Sequence, residues 1–275
     1  MTKDESLIVI NDFGSEWVRF DQSVLTGKER TRQFNGYFSI FPWNLVNKNS
    51  IGFDLGCGSG RWALLVAPRV GHLHCIDPST AINVAQKNLV EFSNCSFHKA
   101  RVVEIPLADN SMDFGYSLGV LHHIKDTQGA LKLCVDKLKP SAPFLIYLYY
   151  AFDNQPVWYH LLWRVSDIMR RLVCHLPHVT RVYCADIIAA TVYFPFAMLS
   201  RSLAFLGIDV KSLPLSAYRY RSFYSMRTDS LDRFGTTVER RFTKDQITQL
   251  MKNAGLKDIV FSNNVPYWCA VGYKA

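Results

Sequence analysis

Several patterns that would place the chain in other protein classes are absent from the sequence. It has seven cysteines, an odd number, and no two of them form a CxxC pair. That spacing argues against a zinc site or a disulfide framework, and it favours reduced thiols in a cytoplasmic setting. The start of the chain, MTKDESLIVI, lacks a basic region followed by an apolar segment of signal-peptide length, so export is not expected.

Acidic residues are scarcer than basic ones. The chain carries 23 Asp and Glu against 31 Lys and Arg, which gives a formal net charge of +8 at pH 7. This balance suits anionic partners such as nucleic acid, lipid headgroups or phosphorylated metabolites, and it equally suits a solvated surface. The positions of the charges therefore carry more information than their sum.

Glycine is concentrated in one short stretch. The run IGFDLGCGSGRW at 51–62 is apolar up to Asp54 and then contains Gly56, Gly58 and Gly60. This order predicts a buried strand, a tight turn and the start of a helix. Glycine allows positive φ in the turn and lets a ligand approach the backbone closely. The spacing differs from the GxGxxG of dinucleotide folds.

A second acid follows at an informative interval. The segment HLHCIDPST at 72–80 predicts a short strand that ends in Asp77, 17 residues after Gly60. This is close to the roughly 20 residues expected for a carboxylate that binds ribose hydroxyls from the tip of the second strand. An Asp at a strand end is also a common helix N-cap, and that alternative stays open for Asp77 alone.

With three later segments, these two stretches resemble class I S-adenosylmethionine-dependent methyltransferases. The resemblance is to the group that includes ubiquinone/menaquinone C-methyltransferases and many sugar and natural-product methyltransferases. The matching segments, in the order and spacing of that superfamily, are DLGCGSG at 54–60, CIDPS at 75–79, IPLADNSMDF at 105–114, SLGVLHHI at 117–124 and LKLCVDKLKPSAPFLIYLYY at 131–150. The resemblance implies S-adenosyl-L-methionine as cofactor and is nearly silent about the acceptor.

Strand and helix patterns alternate from residue 51 to residue 150, which argues for a parallel sheet with helices on both faces. We predict an α/β fold with a Rossmann-like, doubly wound, seven-stranded and mostly parallel sheet, an antiparallel closing strand and a helical insertion after strand five. At 275 residues the chain is long for the bare core and short for two full domains. The predicted divisions are an N-terminal helical cap (1–47), the cofactor-binding core (48–150), a helical insertion or lid with the acceptor-binding segment (151–241), and a C-terminal helix and strand pair (242–275).

Ligands in such sheets bind beyond the carboxyl ends of the strands. By the resemblance, Asp77 takes the ribose hydroxyls, and Asp54 orients the turn or meets the amino group. Relatives carry an acid for the adenine amino group where this chain has Arg101. Backbone amides around Arg101 and Val102 could replace that acid. Alternatively, the guanidinium stacks on adenine or pairs with another group. The predicted cofactor-binding residues are Asp54, Gly56, Cys57, Gly58, Gly60, Asp77, Pro78, Arg101, Val102, Leu118, Gly119, Trp17 and Tyr37.

Aromatic residues are dense in the N-terminal segment 11–46, and Phe34, Phe38 and Phe41 follow a helical spacing. Such a pattern is more often part of a core than of a cofactor site. Relatives nevertheless fold an N-terminal helical segment over the cofactor. By that resemblance the candidates for contacts with the cofactor or for a lid that excludes water are Trp17, Arg19, Phe20 and Tyr37.

Strand four is predicted to end in SLGVLHH, where the resemblance directs the cofactor's methyl group. His122 and His123 are therefore the candidate catalytic residues. Histidine has an unperturbed pKa near 6.5 and can accept a proton from a hydroxyl nucleophile. Hydrogen bonding of one ring to the backbone is the alternative. No metal site is predicted.

The insertion is rich in aromatic residues and arginines. Two or three helices are predicted, broken near Pro177 and Pro195. Its uncharged run at 187–200 has 14 residues, short of the roughly 20 needed to span a bilayer. A buried core or lid, an interfacial helix on anionic lipid and a homodimer interface all stay open. The basic residues that suit the lipid alternative are Arg164, Arg170, Arg171, Arg181 and Arg201.

The segment 215–243 combines arginines with tyrosines and acids. In relatives, the segment before the last helix lines the acceptor pocket, and guanidinium groups suit a phosphate or carboxylate. A solvated loop is the alternative. The predicted substrate-binding residues are Arg219, Arg221, Tyr224, Arg227 and Asp229.

These observations predict a cytoplasmic methyltransferase, acting by in-line displacement on a small-molecule or glycan-precursor acceptor, phosphorylated, lipid-linked or both. A peripheral contact with the inner face of a membrane and a homodimer are left open. A nucleic-acid methyltransferase is one rival, but SLGVLHH lacks the Asn/Asp-Pro-Pro-aromatic motif after strand four, so no nucleic-acid partner is expected. A non-catalytic protein that retains the fold is the other rival, and Arg101 is its support.

Overall fold

A computed structural model describes residues 3–210 and 213–275. The chain divides into two compact units. The first, called the sheet unit here, comprises the chain up to Ser23, Arg30–Ala151 and Glu239–Ala275. The second, called the helical unit, comprises Val24–Glu29 and Phe152–Val238. The described residues therefore place the N-terminal helical segment largely with the sheet, and most of the insertion in a unit of its own.

The sheet unit is built on seven strands in the order β3-β2-β1-β4-β5-β7-β6. Strands β1 to β5 pair in parallel, and β7 runs antiparallel to both of its neighbours, β5 and β6. This confirms the predicted α/β fold and its antiparallel closing strand. The strands are β1 (Ile51–Leu55), β2 (His72–Ile76), β3 (Cys95–His98), β4 (Phe114–Leu118), β5 (Pro143–Tyr147), β6 (Leu256–Phe261) and β7 (Cys269–Lys274).

Glycine and phenylalanine alternate between the two central strands. Gly52 pairs with Phe114, and Phe53 pairs with Gly115 across β1 and β4. A Cβ atom on either glycine would overlap the ring of the opposite phenylalanine. Both rings are fully buried, as expected where a sheet is covered on both faces. This reciprocal packing closes the centre of the sheet, where the chain changes direction from β1 to β2 on one side and from β4 to β5 on the other.

Helices cover both faces of this sheet. They are α1 (Lys3–Arg19), α2 (Gly27–Tyr37), α3 (Ala63–Val66), α4 (Ala81–Asn88), α5 (Thr127–Lys137) and α10 (Lys244–Asn253). Helix α3, which follows the glycine turn, has only four residues. It passes into a 3-10 turn at Ala67–Arg69, because Pro68 cannot donate the hydrogen bond that an α-helix needs.

Helix α10 begins and ends at typical capping residues. Thr243 is its N-cap and forms a capping box with Gln246, and Gly255 has a φ of +93° just beyond its last turn. The aromatic residues at helical spacing in the N-terminal segment are core residues, because Phe34, Phe38 and Phe41 are all buried in the cluster on one face of the sheet.

The helical unit contains α6 (Val157–Val173), α7 (His178–Ile188), α8 (Phe194–Phe205) and α9 (Phe223–Gly235). The prediction of a break near Pro177 agrees with the structure, since Pro177 is the N-cap of α7. The prediction of a break at Pro195 is wrong. A π turn at Ala189–Tyr193 joins α7 directly to α8, and Pro195 lies in the first turn of α8. The helix tolerates proline there because the π turn has already interrupted the regular α-helical hydrogen-bond pattern.

Two buried arginines attach α6 and α7 to the end of α9. Arg170 donates to the Thr236 carbonyl at 2.9 Å, and Arg181 donates to the Gly235 carbonyl at 2.9 Å. The last carbonyls of a helix have no partner within it, and cations stabilise that end of the helix dipole. Of the five arginines considered for lipid contact, Arg170 and Arg181 are therefore excluded: both are buried.

One helix among the described residues, His178–Phe205, is long and apolar enough to cross a membrane by length and composition, and 33% of its most apolar window is buried. The uncharged run at 187–200 is thus part of a longer apolar helix than the sequence pattern indicated.

Candidate cofactor and acceptor site

The predicted cofactor residues converge at one edge of the sheet. The glycine turn follows β1, Asp77 follows β2, and Leu118 to His123 end β4. Because these three strands are adjacent and parallel, their carboxyl ends open to the same side. The arrangement makes one site from segments that are far apart in the chain.

The glycine turn depends on its lack of side chains. Gly56 has a φ of +74°, and a Cβ atom there would overlap the side chain of Val120. Gly58 has a φ of +53°, and its Cβ position lies 3.1 Å from the ring of Trp17. The backbone of the turn is therefore closely approached from both sides. Between the two glycines, Cys57 is buried, and burial raises the pKa of its thiol to about 11.

Asp77 connects the tip of β2 to the glycine turn. Its Oδ2 accepts from the backbone N–H of Gly58 at 3.0 Å, and its Oδ1 accepts from the backbone N–H and the hydroxyl of Ser79 at 2.9 and 2.6 Å. A carboxylate has about four acceptor positions, so three protein donors leave room for a further hydroxyl. Asp77 thus has a structural role that the sequence did not indicate, beside the predicted ribose contact. Pro78 lies between Asp77 and Ser79 in the chain.

Helix α1 lies over this edge of the sheet. Besides the contact of Trp17 with the glycine turn, the ring of Phe13 lies 4.8 Å from the ring of His123. Gly14 packs so tightly on Ser79 and Thr80 that a Cβ atom there would lie 2.7 Å from the Thr80 hydroxyl. The helix therefore covers the tips of three strands. Phe13 was visible in the sequence only as one of many aromatic residues.

Asp54 is a buried acid with an unpaired oxygen. Its side chain is fully enclosed at the end of β1, and Oδ2 has no hydrogen-bond partner. Burial raises the pKa of Asp54 to about 8; the Tyr116 hydroxyl opposes the rise, the charge of Asp77 adds to it and Arg61 opposes it. An acid in this state suits a cationic ligand, which would supply the missing partner and lower the pKa.

Aromatic rings line the approach to the turn. The Arg61 guanidinium lies 5.2 Å from the ring of Trp17 and 4.3 Å from the ring of Trp62, within the range of cation–π attraction. Tyr37 packs against Trp62 at 4.9 Å and against Tyr147 at 5.1 Å. Tyr37 is therefore fixed in an aromatic cluster at the end of β5, and the cofactor contact predicted for it stays a prediction.

Arg101 has a partner on the surface. Its guanidinium forms an ion pair with Glu104 at 2.6 Å, and both side chains are substantially exposed. Pairing with another group was one of the two alternatives to stacking on adenine. Val102 begins the 3-10 turn that brings Glu104 back to Arg101. The adenine contact predicted for this loop stays a prediction.

The two histidines lie in a 3-10 turn directly after β4, and both are buried. Their rings are 4.0 Å apart, and His122 stacks on Tyr149 at 3.9 Å. Neither nitrogen of His122 has a hydrogen-bond partner. Burial lowers the pKa of His122 well below 6.5, and the charges of His123 and two arginines add to the effect. His122 is therefore a neutral imidazole with a free donor and a free acceptor.

Those two arginines, Arg240 and Arg241, were not among the predicted site residues. Arg241 lies 5.3 Å from the ring of Tyr149 and donates to the Tyr150 carbonyl at 3.1 Å. Arg240 donates one N–H to the Lys125 carbonyl at 2.7 Å, while its Nε and one Nη find no partner. Both belong to the arginine-rich segment 215–243, but nothing in the pattern separated them from its other arginines.

Next to the histidines, the end of β4 is open. Leu118 is buried, whereas Gly119 has a φ of +79° and no atom lies within 4 Å of its Cβ position. The Gly119 N–H donates to the Tyr147 carbonyl at 3.0 Å, which holds the backbone of this segment against β5. A ligand could approach the backbone at Gly119 without displacing protein atoms.

The predicted substrate residues lie in the helical unit and have partners there. Arg221 pairs with Asp229 at 2.6 Å, and Arg227 makes two bonds of 2.8 Å to Asp186. Arg219 donates to the Ser216 carbonyl at 2.8 Å. Tyr224 lies in the first turn of α9. Acceptor binding by these residues stays a prediction. Arg221, Asp229 and Arg227 are engaged in ion pairs, whereas Nε of Arg219 has no hydrogen-bond partner.

Comparison with known proteins identifies the central segment. Residues 53–146 match the family described as "Methyltransferase domain". An O-methyltransferase of Pyrenophora dematioidea is 31% identical over 94 residues, which are 32% of this chain and 35% of the relative. The chain thus spans about a third of the length of that curated relative.

Three solved structures share the fold at 14% identity. A chain from the complex of the Haloferax volcanii Trm112 methyltransferase activator with a candidate methyltransferase has a TM-score of 0.54, covering 96% of this chain and 96% of that chain. A Bordetella parapertussis protein has a TM-score of 0.53, covering 96% and 79%. A candidate O-methyltransferase of Nostoc punctiforme has a TM-score of 0.51, covering 94% and 60%. At this identity the likeness shows the fold alone.

The raised pKa of Asp54 makes the stability of the protein depend on pH. A carboxyl that is protonated in the folded state contributes stability at low pH, and the contribution is lost as pH rises from its ordinary value of 3.8 through about 8. We expect Asp54→Asn to remove that loss, which amounts to about 4 kcal/mol or less at pH 7. Urea denaturation across this pH range measures the slope.

The control for this variant is Asp245→Asn, which changes an exposed acid in the first turn of α10 and should retain the wild-type slope. Asp54→Asn should also weaken binding of S-adenosylhomocysteine, because the amide cannot neutralise the ligand's amino group. Equal slopes in all three proteins would show that Asp54 titrates normally.

Proposed function

We propose that this chain, whose residues 53–146 form a class I S-adenosylmethionine-dependent methyltransferase domain with S-adenosylmethionine as its cofactor, transfers a methyl group to a hydroxyl of a small molecule or glycan precursor. The observation that carries the proposal is the pair of buried histidines beside the open backbone at Gly119, on the edge of the sheet that holds the glycine turn and Asp77.

The cofactor supplies a methyl group that is transferred by in-line displacement at a sulfonium, a reaction that needs alignment and a water-poor site more than acid or base chemistry. Asp77 would accept from a ribose hydroxyl with its remaining lone pair. Asp54 would face the cationic amino group, and Gly58 would let the ligand reach the turn. Trp17 and Phe13 would exclude water from above.

His122 supports an oxygen acceptor. Two unpartnered nitrogens in a buried ring are costly, roughly 1–3 kcal/mol for each group, unless a ligand supplies partners. A hydroxyl can donate to the unprotonated nitrogen or accept from the N–H, which an apolar acceptor cannot do. Because the imidazole is neutral, one of its nitrogens is available to receive the hydroxyl proton as the new bond forms. The similarity to an O-methyltransferase over 94 residues points the same way.

Arg240 supports an anionic acceptor. Its Nε and one Nη lack partners, so the guanidinium can present two donors in the fork geometry that binds phosphate or carboxylate. Its charge influences the pKa of His122, so the two side chains belong to one electrostatic environment. We therefore propose a phosphorylated or lipid-linked precursor as the acceptor class, with the phosphate at Arg240 and the reacting hydroxyl at His122.

We also propose that the protein works in the cytoplasm. All seven cysteines are free thiols in the structure, which suits a reducing compartment. Three of these thiols lie on or beside the neighbouring strands β1, β2 and β3: they are Cys57, Cys75 and Cys95. Burial or mutual hydrogen bonding raises the pKa of each of them. Thiols in that state are poor nucleophiles and serve as packing.

Titration of S-adenosylhomocysteine into the full chain tests the cofactor site. We expect binding by the wild type and a loss of at least tenfold for Asp77→Asn, which removes the carboxylate charge and one acceptor oxygen while keeping the volume. Because Asp77 also holds the glycine turn, each variant is checked by thermal denaturation. Asp109→Asn, at an exposed acid, is the matched control. No binding by a folded wild type would favour a non-catalytic protein.

Replacing His122 by phenylalanine tests the acceptor end. The ring keeps its stacking on Tyr149 but loses both nitrogens, so we expect normal cofactor binding and a fall in turnover of about 10²-fold or more. Methyl transfer is measured as S-adenosylhomocysteine release, first with sugar phosphates and then with lipid-linked sugars. Wild-type turnover should stay flat down to about pH 6, because the pKa of His122 is well below 6.5. Unchanged turnover in His122→Phe would move the proton-accepting role to His123.

Replacing Arg240 by glutamine tests the charge of the acceptor. We expect the KM for a phosphorylated acceptor to rise by about tenfold or more, while the affinity for S-adenosylhomocysteine stays the same. The dephosphorylated analogue should show no difference between variant and wild type. Arg32→Gln, at an exposed arginine of α2, is the control. An equal KM for both acceptors in wild type and variant would contradict an anion site at Arg240.

A further inference from the structure

The helical unit exposes most of the large apolar side chains that the protein presents to solvent. Among the described residues, 29 such side chains are exposed, and 19 of them lie between Val157 and Ile208. Soluble monomers rarely expose so much contiguous apolar surface, and patches of this kind mark interaction sites. The methyltransferase site in the sheet unit does not account for them.

Helix α6 shows how this surface is organised. Eight exposed apolar residues form one continuous arc of about 140°, at about 100° per residue around the helix. In order around the helix they are Val157, Ile168, Leu161, Leu172, Val165, Trp158, Met169 and Leu162. Arg164 and Arg171 continue the exposed face on one side of the arc. The opposite side carries the buried Asp167 and Arg170, so α6 is an amphipathic helix whose apolar face points outward.

The long helix formed by α7 and α8 has a similar face. Its exposed apolar residues follow four-residue steps, Val179, Tyr183 and Ile187, then a five-residue step to Val192 and a four-residue step to Phe196. The longer step coincides with the π turn at Ala189–Tyr193, whose extra residue keeps the stripe on one side. Beyond the stripe, the C-terminal end of the helix exposes Phe205 almost completely, at 91%.

The exposed charges between Val157 and Ile208 have one sign. Between Val157 and Ile208 the two acids are Asp167, which is buried against Arg170 and Arg171, and Asp186, which pairs with Arg227. The exposed charged side chains in the same range are Arg164, Arg171 and Arg201. Two exposed acids, Asp153 and Asp209, lie just outside this range. An apolar surface whose own exposed charges are arginines is complementary to a bilayer with anionic headgroups.

The buried face of the long helix argues against a span. Arg181 donates to the end of α9, Asp186 pairs with Arg227, and the Ser230 hydroxyl donates to the Ala185 carbonyl at 2.8 Å. Crossing a bilayer would carry this charged and polar interface into hydrocarbon, which is costly. If the long helix instead lies parallel to the membrane surface, its charged and polar contact with α9 stays within the protein. Only the outward stripe then enters the lipid.

We propose that the outward faces of α6 and of the helix formed by α7 and α8, together called the apolar-basic face, bind the surface of an anionic lipid bilayer. A second copy of this chain is the less favourable occupant, because a symmetric contact through this face would bring exposed arginines of like charge together. The proposal is independent of methyl transfer, since membrane binding needs neither cofactor nor acceptor.

Vesicle flotation with the full chain tests the proposal. We expect the protein to float with vesicles of phosphatidylcholine containing about 30% phosphatidylglycerol at low salt, and to float less with phosphatidylcholine alone or at high salt. Arg164→Gln with Arg201→Gln should lower the affinity for the anionic vesicles by about fivefold for each arginine. A protein that stays at the bottom of the gradient with anionic vesicles at low salt overturns the proposal.

The apolar contribution is tested by Leu161→Gln with Ile168→Gln. Both side chains are exposed, at 64% and 62%, so the fold should be retained while vesicle binding falls by about tenfold or more. The matched control is Val90→Gln with Val260→Gln, two exposed apolar residues of the sheet unit, which should bind as the wild type does. Equal binding by the first pair and the wild type would contradict the proposal.

Trp158 reports on the depth of the contact. It lies on the apolar arc of α6 and is 49% exposed. Brominated phospholipids should quench tryptophan fluorescence in the wild type and quench less in Trp158→Phe. Light scattering without lipid tests whether a second copy of the chain occupies the face. Suppose that the wild type is a dimer, that Leu161→Gln with Ile168→Gln converts it to a monomer, and that brominated lipid causes no quenching. The apolar-basic face would then be assigned to self-association instead.

Discussion

The candidate cofactor site, at the carboxyl ends of β1, β2 and β4, depends on the hydrogen bonds of one carboxylate. Asp77 accepts from the Gly58 N–H and from Ser79, and so it ties the end of β2 to the turn that follows β1. Glycine alone would leave that turn conformationally free, at an entropic cost on folding. With the carboxylate in place, the turn presents its backbone in one arrangement, and α1 packs over it through Trp17. The residue that the motif assigns to the ligand therefore also builds the site.

Burial sets the charge states at the two ends of the site. Asp54 and His122 are both fully enclosed, and both are held in their neutral forms because a low-dielectric environment disfavours charge. Each also retains an unpartnered polar atom. Before a ligand binds, these groups cost stability, and in the proposed function a cation at Asp54 and a hydroxyl at His122 recover it. The proposed selectivity thus rests on residues whose polar atoms lack partners without a ligand.

Much of the sheet could be predicted from the sequence, because strands buried on both faces give apolar runs and their ends carry glycine and aspartate. Asp54, Asp77 and the histidines were identified in this way. The second role of Asp77 could not be predicted, since it depends on which N–H the turn directs toward β2. Arg240 was indistinguishable from its neighbours, because only the pairing of Tyr150 with Phe242 brings that segment beside the end of β5. Pro195 misled the helix prediction because a π turn precedes it.

The helical unit shows a limit of periodicity as evidence. A stripe of apolar residues at helical spacing predicts one face that avoids water, but it does not say whether protein or lipid covers it. In α6 the polar residues show which side of the helix faces the protein. Asp167 and Arg170 lie on the protein side because the last carbonyls of α9 need donors there. That requirement turns the apolar arc of α6 outward. An arrangement that satisfies the end of one helix thereby creates the exposed face of another.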